Sequence, residues 1–264
     1  MLIIDTHCHT ADNWEEPIDT LLYQMQANGV SHAVLAQLNG HYDNSYLLDC
    51  VKRYGNKFKA VIILDPEDKS RPKTLESSHK QGASGLRINL RKEWDPDDPV
   101  FKVCGELGMI VSVIGKAENF ASAAFKKLLD NCPKTRFCLE HLARDARAGV
   151  DFSDPPHDGY KASLECARWP NTTVKVPGLG EIVKRPLRFP AGYPFASVPP
   201  LYDMAKEAFG VQRMMWGSNF PPCAQKEGYR NALQWVLKYP GFQSGDDIEW
   251  IMGKSAAKLW GFPA

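Results

Sequence analysis

The sequence has no C-x-x-C pair, no apolar run long enough to span a membrane and no surplus of charge of one sign. Its seven cysteines (Cys8, Cys50, Cys104, Cys132, Cys138, Cys166 and Cys223) are scattered and odd in number, which argues against a disulfide framework. Reduced thiols in a cytoplasmic compartment are the expectation. With 32 basic and 31 acidic residues, the formal charge of +1 gives no footing for nucleic acid or an anionic membrane surface. No internal repeat or low-complexity tract is visible. The chain runs from Met-Leu-Ile-Ile-Asp straight into an apparent strand, so a secretory leader is not expected. What the sequence does have is bulk. At 264 residues and 44% hydrophobic content it can bury one large core.

Short apolar runs alternate with longer amphipathic ones. Eight strands are predicted: Leu2–Asp5, His32–Gln37, Lys59–Asp65, Gly85–Asn89, Ile110–Ile114, Arg136–His141, Thr172–Val176 and Met214–Ser218. Helical spacing lies between several of them. Ile18, Leu21, Leu22 and Met25 lead to Gly29, and Tyr46, Leu47, Val51 and Tyr54 lead to Gly55. Phe120 to Leu129 and Leu201 to Phe209 repeat the pattern. Eight such alternations predict an α/β fold, a (β/α)8 TIM barrel, regular or distorted, over 1–264 as a single domain. Prolines at 186, 190, 194, 199 and 200 interrupt the rhythm. They predict an ordered loop at about 183–200 near the barrel mouth, with a plain surface excursion as the alternative.

Asp5-Thr6-His7-Cys8-His9 follows the first apolar run. Strand alternation places His7, His9 and Asp5 on one face and Cys8 on the other. Two imidazoles at a strand end can bind a metal or polarise a substrate oxygen. In a barrel all strand ends converge on one mouth. The fourth strand would bring Arg87 and Asn89 there, with Arg91 beyond. The sixth brings Glu140 and His141, followed by Arg144, and the seventh brings Lys175. The eighth brings Trp216-Gly217-Ser218-Asn219-Phe220-Pro221. Buried guanidinium groups suit a carboxylate ligand, although a structural salt bridge for Arg87 is an equal reading. Lys175 reads more readily as a surface or salt-bridge residue. His32, His79 and His157 read as surface histidines, and Trp216 as a packing residue. Tyr42 is the preferred pocket contact from the loop after the second strand, with His41 ambiguous.

The D-x-H-x-H segment, His141, and Trp-Gly-Ser-Asn-Phe-Pro resemble the amidohydrolase-related family of the amidohydrolase superfamily. The resemblance is strongest to its lactonase branch of pyrone-dicarboxylate and sugar-acid lactonases. Tyr42-Asp43-Asn44-Ser45-Tyr46, Gly85-Leu86-Arg87-Ile88-Asn89 and Met252-Gly253-Lys254-Ser255-Ala256-Ala257 extend it to residues 2 to about 262. The resemblance implies hydrolysis of a C–O or C–N bond, or a non-oxidative decarboxylation in one branch. In the lactonase branch a strand-eight carboxylate activates water while histidines and arginines hold the substrate, and a metal is dispensable.

Two departures stand out. The fifth strand, Ile110-Val111-Ser112-Val113-Ile114, carries no ionisable ligand, and the strand-eight aspartate is replaced by Asn219. An amide is not a base near neutral pH. Three readings follow: another base such as His141, His9 or Glu140; an inactivated variant; or a binding scaffold without turnover. The Ser-Asn-Phe-Pro form resembles a natural subgroup, which favours the first. The expectation is therefore a hydrolase opening a small carboxylate-bearing lactone. His7, His9 and His141 would polarise the carbonyl, Arg87, Arg144, Tyr42 and Asn89 would bind the substrate, and Asn219 would position water. No cofactor is favoured. A single zinc or manganese ion on His7, His9 and His141 would instead indicate a metal-dependent decarboxylase or amide hydrolase. A homo-oligomer is left open.

Overall fold

The structure is a computed structural model describing residues 1–147, 155–185, 187, 188, 192 and 198–263. Eight strands form one parallel sheet in sequence order: β1 (Ile4–Cys8), β2 (His32–Ala36), β3 (Phe58–Ile62), β4 (Ala83–Asn89), β5 (Ile110–Ile114), β6 (Arg136–Leu139), β7 (Thr172–Val176) and β8 (Met214–Trp216). Helices fill the crossovers: α1 (Ile18–Ala27), α2 (Ser45–Tyr54), α3 (Arg71–Lys80), α4 (Val100–Glu106), α5 (Ala117–Ala121), α6 (Ala123–Asn131), α7 (Asp158–Leu164) and α8 (Leu201–Phe209). After β8 come α9 (Tyr229–Leu237), α10 (Asp247–Glu249) and α11 (Ser255–Trp260). This is a (β/α)8 barrel. Among the described residues, no helix is long and apolar enough to cross a membrane. The proline-rich loop expected at 183–200 lies largely outside the described residues.

Local chemistry explains the elements. β5 is β-branched at Ile110, Val111, Val113 and Ile114, residues that fit a pleated, buried surface. α2 buries Leu47 and Cys50 on one stripe and ends at Gly55, whose φ of 56° suits glycine. The helix expected through Phe120 to Leu129 is broken at Ser122. That residue is extended, and its hydroxyl accepts from Phe125 N at 3.2 Å, capping α6.

Two apolar layers result. Ile4, Val34, Val61, Ile110, Cys138 and Met215 fill the barrel interior, together with Trp260 from α11. Gly85 permits this plug: a Cβ there would meet Ile110 O at 2.5 Å and the Trp260 ring at 3.4 Å. The second layer, between strands and helices, includes Leu35, Phe58, Phe137, Val174 and Trp216. Burying each large side chain contributes about 1.5–3 kcal/mol.

The register between β1 and β2 slips between Asp5 and Cys8, so three steps on β1 match two on β2. This bulge overturns the expected shared face of Asp5 and the histidines. Ile4 points into the barrel, while the Asp5 carboxylate accepts from Tyr229 on α9 at 3.0 Å and from Ser218 N at 2.9 Å. Cys8 packs in the outer layer, as alternation from the histidines required. The ring closes at a narrow seam. Cys8 bridges Phe220, His9 N donates to Phe220 O at 2.7 Å, and Asn219 N donates to His7 O at 2.7 Å. Gly217 lets the chains approach, because a Cβ there would stand 2.7 Å from His7 Cβ.

Candidate active site

The barrel mouth gathers the three expected histidines. The His7 ring lies 4.9 Å from that of His9 and 4.8 Å from that of His141, both edge-on. All three are buried. His141, Leu142 and Ala143 have φ values of 53°, 60° and 57°, a left-handed turn that non-glycine residues adopt only under tertiary compulsion. Asn219 is also left-handed, at φ 55°, a conformation asparagine tolerates better than most.

Below the rings, neighbouring strands each contribute one inward polar side chain: Arg87 from β4, Ser112 from β5, Glu140 just beyond β6 and Lys175 from β7. Glu140 is their centre. Its oxygens accept from Arg87 Nε at 3.0 Å, Arg87 Nη2 at 2.8 Å and Ser112 Oγ at 2.7 Å. Lys175 Nζ stands 3.7 Å away and donates to Ser112 Oγ at 2.8 Å. Burial alone would raise the Glu140 carboxyl, but Arg87, His7 and Lys175 outweigh it and hold it well below the usual range. Arg87 Nη1 also donates to Gln37 O at 2.7 Å, so the salt-bridge reading of Arg87 is the one realised.

The partners of each imidazole fix its tautomer. Lys175 Nζ faces His7 Nδ1 at 3.0 Å. An ammonium only donates, so Nδ1 accepts and the ring proton lies on Nε2. Among the described residues, that buried Nε2 has no hydrogen-bond partner. His9 Nδ1 faces Ala36 O at 2.6 Å, which can only accept, leaving the lone pair on Nε2. His141 Nδ1 faces Glu181 Oε2 at 2.8 Å, again leaving the lone pair on Nε2. Burial, aided by Lys175, pushes His7 well below the ordinary histidine value; burial and Arg87 push His9 down to about 3.

Glu181, in the short turn Leu179–Glu181 after β7, was not anticipated from the sequence. It is buried, and its Oε1 accepts from Asn219 Nδ2 at 2.5 Å. Burial would raise its carboxyl, but His141, Lys226 and the Asn219 amide bring it below the usual range. Arg144 is fully buried, donating from Nη1 to Glu181 O and from Nη2 to Arg147 O, each at 3.0 Å. Arg144, expected from the sequence to bind substrate, is thus buried and bonded to the turn that carries Glu181.

Two cavities of about 110 and 190 Å³ open beside this cluster. The first is lined by Asn39, Tyr42, Arg87, Asn89, Lys92 and Trp94, among others. The second is lined by His41, Tyr42 and Gln37, among others. Tyr42, Asn89 and Arg87 thus gather at one side of the mouth, and Arg87 links the first cavity to Glu140. His7, His9 and His141 line neither of these two cavities.

A family model described as amidohydrolase matches residues 4–262. The chain belongs to the amidohydrolase family. It is 28% identical over 218 residues to the 4-sulfomuconolactone hydrolase of Hydrogenophaga intermedia, covering 78% of this chain and 66% of that protein. It is 28% identical over 129 residues to the L-fucono-1,5-lactonase of Burkholderia multivorans, covering 47% of this chain and 43% of that protein. The chain thus matches less than two thirds of the length of either relative. An amidohydrolase structure from Burkholderia multivorans with bound zinc superposes with a TM-score of 0.80 at 18% identity, covering all of both chains. At that identity the likeness concerns the fold.

Among the described residues, His7, Glu140 and His141 offer ligand atoms within 4.8 Å of one another, a set able to hold a divalent ion. It differs from the expected His7, His9 and His141 in offering Glu140 in place of His9. The donor chemistry fits a metal poorly as arranged. The Glu140 oxygens already serve Arg87 and Ser112, and Lys175 keeps the His7 proton on the nitrogen that remains. Arg87 and Lys175 both set their positive charge against that same carboxylate.

Proposed function

We propose that this protein hydrolyses a small lactone bearing an anionic group. The observation that carries the reading is His7 Nε2, a buried N–H with no acceptor among the described residues, held in place through Nδ1 by Lys175. Such a donor is costly to bury unpaired unless a ligand oxygen completes it. A lactone carbonyl would accept from it, and the hydrogen bond would strengthen as negative charge develops on that oxygen. Similarity to a 4-sulfomuconolactone hydrolase and an L-fucono-1,5-lactonase supports ring opening.

In this reading water is oriented by Asn219 and gives its proton to His141 Nε2, while its oxygen bonds to the acyl carbon. The resulting tetrahedral oxyanion rests on His7 Nε2–H. On collapse the ring C–O bond breaks, and the proton on His141 passes to the departing oxygen. Lactone and water thus become a hydroxy acid. His9, its lone pair on Nε2, accepts a hydrogen bond from water or substrate. The anionic group occupies the cavity at Asn89, Lys92 and Tyr42, with Arg87 making its floor positive. Arg144 contributes by fixing Glu181.

The His7–Glu140–His141 cluster supports a second reading, a metal-dependent hydrolase or decarboxylase. The full chain should be assayed for ring opening on dicarboxylate, sulfonate-bearing and sugar lactones, before and after chelation. Turnover of an anionic lactone that survives chelation is expected. Activity abolished by chelation and restored by zinc or manganese would replace the first reading with the second. No turnover of any lactone would overturn the lactonase reading.

A further inference from the structure

We infer that Glu181 supplies the carboxylate that position 219 lacks, orienting His141 as the base. This rests on the lactonase reading and deepens it. One carboxylate ties the two residues together: Oε2 meets His141 Nδ1 at 2.8 Å and Oε1 meets Asn219 Nδ2 at 2.5 Å. The turn that carries it is built for this position. Arg144 Nη1 holds the Glu181 carbonyl at 3.0 Å, and Lys226 Nζ stands 3.8 Å from Oε1. Gly180 lets the turn pack under Glu227, whose carboxylate would overlap any Cβ at that position.

The asparagine is then explained by its neighbour. An aspartate at 219 would set a second carboxylate against Glu181, and two such groups at hydrogen-bond distance cannot both ionise at low cost. An amide offers the donor that a buried carboxylate needs. Negative charge has therefore moved from the end of the eighth strand to the turn after the seventh, and Asn219 is its complement. Glu181 holds His141 in the Nδ1–H form and stabilises the imidazolium that appears when Nε2 takes the proton of water. The same proton leaves with the ring oxygen, so Glu181 itself neither gains nor loses one. It is a positioning residue acting through His141.

The test combines kinetics on a lactone turned over by the full-length protein with 15N NMR of its histidines. Glu181→Gln should lower kcat by about 10²-fold or more with KM changed less than threefold. Asn219→Asp alone should also lower kcat. The double variant Glu181→Gln with Asn219→Asp, which exchanges amide and carboxylate, should recover at least tenfold over Glu181→Gln. In the unsubstituted protein the His141 resonances should report the Nδ1–H tautomer, and in Glu181→Gln a mixture. Wild-type kcat in Glu181→Gln, or a gain of activity in Asn219→Asp alone, would overturn the inference. If Glu181→Gln does not fold, Asn219→Asp and the tautomer of the unsubstituted protein decide the matter. If no lactone is hydrolysed, the lactonase reading falls by itself. The His141 tautomer then tests the pairing without substrate, and an Nε2–H resonance would sink it.

Discussion

His7 shows how much one proton position decides. Its two nitrogens differ only because Lys175 stands 3.0 Å from one of them. Lys175→Met would remove the donor to Nδ1 and leave the ring free to choose its tautomer. About a 10²-fold loss of kcat is expected, comparable with deleting one oxyanion donor, with little change in KM. Steady-state kinetics on the hydrolysed lactone checks this, and a KM effect without a kcat effect would place Lys175 in binding. The sequence offered His7, His9, His141 and Asn219 openly, because their spacing forms motifs. Lys175 looked like an ordinary strand lysine. Its importance comes from register, which sets it beside Ser112 and Glu140, and no short motif records register. Glu181 was less legible still: it follows a glycine pair in a turn, and only the folded chain brings it to Asn219.

At the scale of elements, the strand pattern was largely readable. β5 and β7 fall where the alternation put them, because β-branched runs between polar breaks leave little freedom. β1 ends three residues beyond its expected limit because a bulge lets Thr6 to Cys8 continue the strand. That bulge separates Asp5 from the histidines, and alternation alone could not foresee it. The inward polar residues of four neighbouring strands also give the barrel an acid-sensitive girdle. Burial lowers His9 to about 3, so no penalty arises above pH about 6.5, and one grows as pH falls towards 3 while the unfolded chain binds the proton. Glu140, held low by Arg87, His7 and Lys175 against its burial, adds stability above its ordinary range that is lost as pH falls through its folded value. Asp5, raised by burial, works in the opposite direction. The urea midpoint should therefore decline from pH 7 to pH 4, starting below pH about 6.5. A midpoint unchanged from pH 7 to pH 5 would show that the histidine burial is relieved in solution.

The whole molecule is a ring whose two ends meet at the site. Thr6 Oγ1 donates to Trp216 O at 2.7 Å across a sequence separation of 210 residues, and His9 and Asn219 bond across the same join. Contacts of such separation form late in folding, because their loop entropy must be met first. On dilution from urea, the proposed lactone hydrolysis should return more slowly than helical circular dichroism, and coincident recovery would indicate an early join. The fastener and the tool are the same few residues. A chain that has formed every strand but not closed the circle owns all its histidines and has nowhere to use them, so the proposed catalysis would be in effect a gauge of closure.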